Sequence, residues 1–145
     1  MRHRLCHLIL VLTLALPPAS AVAQTDRYLS DMPRDYPSVY DAWTRHLPYA
    51  AKMPTWIAQF QGVSTPLRNL TIGTRNFKFG TICVPHDCAG NMMGVAFAPG
   101  SNWIIAMATL SSKTGPHTTM TFGDPTNAEL SCIIKATSDS SIKTC

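Results

Sequence analysis

The chain has 145 residues, of which 12 Lys and Arg face 8 Asp and Glu for a formal charge of +4. That charge is too mild and too dispersed to indicate a nucleic-acid partner, and no segment reaches the roughly 18 consecutive apolar residues of a membrane span. The length suits one domain with a real core and leaves little room for two.

The start of the chain predicts export. Met1-Arg2-His3-Arg4 is a short basic opening, residues 5–16 form an apolar run of signal-peptide length, and Ala21-Val22-Ala23 before Gln24 is a small-x-small cleavage site. We read residues 1–23 as a cleaved secretory signal and 24–145 as a single soluble domain. Loss of Arg2 and Arg4 leaves ten Lys and Arg against eight Asp and Glu, a net charge near +2. Cys6 leaves with the signal, so Cys83, Cys88, Cys132 and Cys145 remain. An even number of cysteines in an exported chain implies disulfides, and four allow three pairings. Sequence proximity favours Cys83 with Cys88 and Cys132 with Cys145.

In chain order, residues 24–34 are polar, contain Pro33, and read as an extended or poorly ordered lead-in. Val39, Tyr40, Trp43, Leu47 and residues 49–51 then fall on one side of a helix expected over about 38–47, with Pro37 suited to its first turn. Packing in the core is the favoured role for those aromatics over a sugar-binding face. Trp56 is expected to anchor its segment on the core, and Thr65-Pro66 ends any continuing helix.

Beyond Pro66 the period becomes two. Leu70 and Ile72 lead into Gly73-Thr74, Phe77 and Phe79 alternate after it, and Met93, Val95 and Phe97 alternate again up to the turn Pro99-Gly100-Ser101-Asn102. Further strands are expected at 103–110 and 117–122, separated by a turn at 112–116. This pattern predicts an antiparallel meander with one face on a core. Thr126 and Glu129 have the spacing of a helix capping box. Leu130, Ile133 and Ile134 would share the buried face of that helix, which ends near Thr137, and a Cys132–Cys145 bridge would tie back the polar tail. The expected fold class is α+β, an antiparallel sheet of about five strands flanked by short helices.

The stretch Cys83-Val84-Pro85-His86-Asp87-Cys88 interrupts the strands. Closed by a disulfide, it is a small ring presenting a proline, a histidine and an aspartate. A thioredoxin-type centre has two residues between its cysteines, whereas this spacing has four and no helix signal follows. A zinc site would need reduced thiols and further ligands, and His117 is the one other donor nearby, so no metal or cofactor is expected. No serine elbow or carboxylate pair suggests hydrolysis. On spacing alone the ring is a staple worth about 2 kcal/mol. Pro85 and two titratable residues at the tip argue for a binding role.

The same six residues resemble the Cys-Lys-Pro-His-Asp-Cys loop of the inhibitor of vertebrate lysozyme family, the Ivy proteins. Met53-Pro54-Thr55-Trp56 is similar to that family's Leu-Pro-x-Trp segment, and the pattern continues through Thr65-Pro66 and the turn at 73–77. The resemblance covers about two thirds of the mature chain. It implies a periplasmic protein, without enzymatic activity, whose ring enters the active-site cleft of a C-type lysozyme, with His86 between the catalytic carboxyls and Asp87 either orienting the ring or accepting from the cleft wall. Val84 stands where the family carries lysine, and the Cys132 and Cys145 pair looks like an addition to the family pattern. Alternatives are inhibition of lytic transglycosylases, which also use a carboxyl acid in a sugar cleft, an exported thiol or metal enzyme using the same ring, and a disulfide-stapled sugar- or peptide-binding domain without an inhibitory role. A homodimer is also compatible with the sequence.

Overall fold

The apolar alternation after Pro66 becomes a six-stranded antiparallel sheet in the computed structural model, which describes residues 26–47, 52–111 and 115–145. The proposed signal, residues 49–51 of the first expected helical face and residues 112–114 of the expected turn lie outside the described residues. The strands are β1 (Val63–Ser64), β2 (Arg68–Ile72), β3 (Arg75–Cys83), β4 (Met92–Phe97), β5 (Ile104–Leu110) and β6 (Thr118–Phe122). β3 to β6 pair in sequence order, and β1 and β2 share the outer edge of β3, β1 opposite Ile82 and Cys83 and β2 opposite residues 75–79. The expected meander is present, extended by a two-residue strand that carries no alternation signal.

One expectation changes: the sheet is covered on both faces. Met93, Val95 and Phe97 of β4 face one cluster with Ile104, Ala106 and Ala108 of β5, while Ala96 and Ile105 face a second cluster with Phe77 and Phe79. Side chains of a strand alternate between faces, so covering both buries consecutive residues, as in β4 from Met93 to Phe97.

The first face is covered by the N-terminal segment. Its elements are a 3₁₀ turn (Leu29–Asp31), α1 (Met32–Asp35), α2 (Pro37–His46) and α3 (Thr55–Ala58). The lead-in is therefore helical from Leu29 onward, and extended only just before it, at Tyr28. Leu29 and Met32 are fully buried, and Pro33 occupies the first turn of α1, where a missing N–H costs nothing. Val39 and Trp43 of α2 are buried as the apolar spacing predicts, Tyr40 is only partly buried, and Ala42 is buried as well. Trp43 stacks on Phe60 with centroids 5.0 Å apart, meets Phe122 at 5.0 Å, and donates from Nε1 to the Ile57 and Ala58 carbonyls at 3.2 and 3.3 Å. Its polar atom is satisfied inside the core, and Trp56 is buried in the same cluster.

The second face carries α4 (Asn127–Ser138). Its buried residues are Glu129, Cys132, Ile133 and Ala136, so Ile133 sits as expected but Ile134 is 44% exposed and Leu130 only half-buried. The reason is close approach. A Cβ on Gly94 of β4 would lie 2.1 Å from Thr137 Oγ1 and 3.1 Å from Ile133 Cγ2, so the helix seats its Ile133 and Thr137 stripe over a strand without a side chain there. The tail is tied back twice. Cys132 and Cys145 form a disulfide, and Thr144 bridges Thr71 in parallel, with Thr71 N–H donating to Lys143 O at 2.8 Å and Cys145 N–H to Thr71 O at 2.9 Å.

α4 starts with the expected capping box. The Glu129 N–H donates to Thr126 Oγ1, and the Thr126 N–H donates back to Glu129 Oε2 at 2.8 Å. Arg75 of β3, lying over Phe77 and Trp103, adds an ion pair to Glu129. Burial pushes the Glu129 carboxyl up, but the Thr126 N–H and hydroxyl and the Arg75 charge together outweigh it and hold the carboxyl below its ordinary value. A carboxylate depressed in the folded state contributes stability above its unfolded pKa, near about 4.3, and that contribution is lost as pH falls through the folded value. Glu129→Gln is expected to lower stability near neutrality by about 1–3 kcal/mol and to flatten the decline in melting temperature below about pH 4. Thermal unfolding of both proteins across pH 3–7 checks this.

Candidate functional site

β3 and β4 are in register from Lys78 opposite Phe97 to Cys83 opposite Met92, which leaves residues 84–91 as their connection. Cys83 and Cys88 are joined by a disulfide, so the first part of this connection is the closed ring that proximity favoured. The ring projects from the end of the sheet at which β1 begins and β5 ends, since Val63 pairs with Cys83 and Thr109 with Met92.

The ring contains a tight turn. Asp87 N–H donates to Val84 O at 3.0 Å, Pro85 occupies the second position, and His86 the third with φ of 66°. Proline second and a positive φ third are the signature of a type II turn, whose third position is normally Gly or Asn. Histidine tolerates this left-handed region better than most residues but is held there at some cost, and such residues cluster at functional sites. Pro85, His86 and Asp87 are exposed. No hydrogen bond or ion pair within the described residues engages the His86 imidazole. Its two nitrogens are therefore available to a partner.

The neighbours of His86 behave differently. Asp87 is exposed but its carboxylate accepts from Asn91 Nδ2, and its carbonyl accepts the Asn91 N–H at 2.9 Å. Of the two roles considered for Asp87, the contacts in the free protein match the internal one. Val84 is half-buried and packs against the larger core cluster, while its N–H donates to Asn91 O at 3.1 Å. Where a lysine would carry charge outward, this valine fastens the ring to the body.

Grooves of mixed polar and apolar lining lie beside the ring. An open groove of about 610 Å³ is lined by Pro85 together with Tyr40, Phe60, Gln61 and Val63. A second, of about 410 Å³, is lined by Cys88, Ala89, Met92, Met107 and Ile134. Val63 and Ile134 are 54% and 44% exposed, so a large exposed aliphatic stands in each groove. The sequence offered no signal for Val63, and periodicity placed Ile134 on the buried face. Asn91 and Ser111, which brace the ring, read in sequence only as turn residues.

The arrangement does not offer thiol chemistry. All four cysteines of the described residues are in disulfides, so the ring holds neither a thiolate nucleophile nor thiolate ligands. What it presents is a disulfide-closed, hydrogen-bonding probe beside two grooves, each holding one exposed aliphatic side chain.

No protein-family model matches the chain. Over 61 residues it is 39% identical to an uncharacterized protein of Yersinia pestis, covering 41% of this chain and 40% of that protein. It is 27% identical over 96 residues to the inhibitor of vertebrate lysozyme of Escherichia coli K12, and equally to that of strain O157:H7, covering 66% of this chain and 59% of theirs. These matches thus span 40% and 59% of the relatives' lengths. A 96-residue stretch cannot be laid on a 145-residue chain without including residues 50–96, so the second match contains the ring.

Replacing Cys83 and Cys88 together with serine is expected to lower stability by about 2 kcal/mol, the chain-entropy value for so small a loop. Urea denaturation checks this through a lower midpoint.

Proposed function

We propose that this protein is an exported, periplasmic inhibitor of C-type lysozyme that inserts the ring Cys83-Val84-Pro85-His86-Asp87-Cys88 into the active-site cleft. The observation that carries the reading is the tip itself: an exposed imidazole, without a partner among the described residues, in a left-handed turn within a disulfide-closed ring. The distant similarity to proteins named as inhibitors of vertebrate lysozyme supports the choice of target.

The chemistry of the target explains why this probe fits. A retaining glycosidase of the lysozyme type works with two carboxyl groups about 5 Å apart, one kept protonated as general acid and one ionised. An imidazole has two nitrogens on opposite sides of a small flat ring, and in its charged form both donate. Seated between the carboxyls, His86 would donate to each and occupy the position of the scissile bond. Nothing in this step makes or breaks a covalent bond, so the inhibition is occlusion. Pre-fixing of the turn reduces the ordering lost on binding, which converts more of the contact energy into affinity. In this reading the exposed Val63 and Ile134 would cover the rim of the cleft and exclude water around the central contact.

His86→Ala is expected to weaken inhibition of a C-type lysozyme by at least about 30-fold, the scale of a central hot spot. It should lower the melting temperature by only a few degrees, through the poorer fit of alanine to the left-handed φ, because no contact among the described residues depends on the exposed imidazole. Lysis of a cell-wall suspension, titrated with each protein, reads the effect. Equal inhibition by the two proteins would remove His86 from the mechanism.

A further inference from the structure

A disulfide fixes the separation of the ring's two ends but not the direction in which the ring points. That direction depends on contacts made outside the six residues. Asn91 Nδ2 donates both to Asp87 Oδ2 and, at 3.0 Å, to Ser111 Oγ, and Asn91 Oδ1 accepts the Ser111 N–H at 3.2 Å. Its backbone is engaged as well, accepting from Val84 N–H at 3.1 Å and donating to Asp87 O at 2.9 Å. One residue thereby joins the ring, the return to β4, and the segment leaving β5. The fit around it is close. Gly90 is buried, and a Cβ there would lie 2.8 Å from both Asp87 Oδ1 and Ser111 Oγ, so any larger residue would push these side chains out of the arrangement.

We propose that Asn91 is a positioning residue for the inhibitory ring, fixing the Asp87 carboxylate and tethering the ring to Ser111 so that His86 projects in one direction. Asp87 is then an internal strut and not a contact to the partner. The proposal rests on the ring being the inhibitory element, and it accounts for the carboxylate beside His86 without assigning it a role in the cleft. Removing the amide frees the ring to swing about the end of the β3–β4 pair. Apparent affinity then falls in proportion to the fraction of rings still aimed correctly.

The test uses Asn91→Ala, Asp87→Ala and the double variant in the full chain. Asn91→Ala is expected to weaken lysozyme inhibition about tenfold while the melting temperature moves by only a few degrees. Amide hydrogen exchange at Asp87 and Asn91 in the free protein should quicken. Because Asn91 acts through Asp87, the double variant should inhibit no worse than the weaker single variant. Ser111→Ala, which removes one hydroxyl and perturbs folding least, should shift inhibition in the same direction by less. Unchanged exchange at the ring amides would overturn the brace whatever happens with lysozyme. Losses that multiply in the double variant would overturn it too, since Asp87 would then contact the partner independently. If the unaltered protein leaves lysozyme uninhibited, the function is wrong, while the exchange measurement still decides the brace.

Discussion

The register of β3 against β4 is the constraint on which the rest of this molecule depends. Six paired positions, ending with Cys83 opposite Met92, fix where the sheet stops and the connection begins. A slip of one residue would turn Phe77 and Phe79 to the opposite face and move Cys83 out of line with its partner. The same pairing therefore builds the core and aims the ring. The end of β3 from which the ring springs is itself paired on both sides, by β1 through Val63 and Ser64 and by β4 through Met92 and Met93, which gives the Asn91 brace a fixed base from which to direct the tip.

That register is held because both faces of the sheet are covered by dissimilar elements. On one side an aromatic cluster centred on Trp43 packs the N-terminal helices against β4, β5 and β6. On the other, α4 lies close over Gly94 and is anchored by its capping box, by the Arg75 ion pair and by the Cys132–Cys145 disulfide. Arg68 adds a further tie, donating to the carbonyls of Ala136 and Ile142 at the end of α4 and in the tail. These contacts leave the short turns at one end of the sheet as the place where the chain can project.

Much of this was legible in the sequence, for identifiable reasons. Period-two alternation in residues 70–79 and 93–97 marked the strands, Thr126 and Glu129 marked the start of α4, and proximity marked both disulfides. The features that were missed share a cause: each depends on what packs against a segment rather than on the segment itself. Residues 26–35 are polar enough to look extended, yet Leu29 and Met32 plug the core. Ile134 has the spacing of a core residue, but the approach over Gly94 rotates it outward. β1 has two residues and no period, and exists because Cys83 and Ile82 offer it an edge. At the site, the six ring residues could be singled out from spacing and composition. Their division of labour could not, since only the contacts reveal Val84 turned to the core, Asp87 engaged by Asn91, and His86 left free.

Under the proposed function the chain contributes a shape and, among the described residues, one pair of unengaged imidazole nitrogens that a cleft lined by carboxyl groups would receive. Binding of the ring and of substrate would then compete for the same space. The most direct measurement is the steady-state kinetics of a C-type lysozyme on a soluble oligosaccharide substrate at increasing concentrations of this protein. The account predicts competitive inhibition, with KM rising and kcat unchanged. A fall in kcat at unchanged KM, or no inhibition, would contradict it.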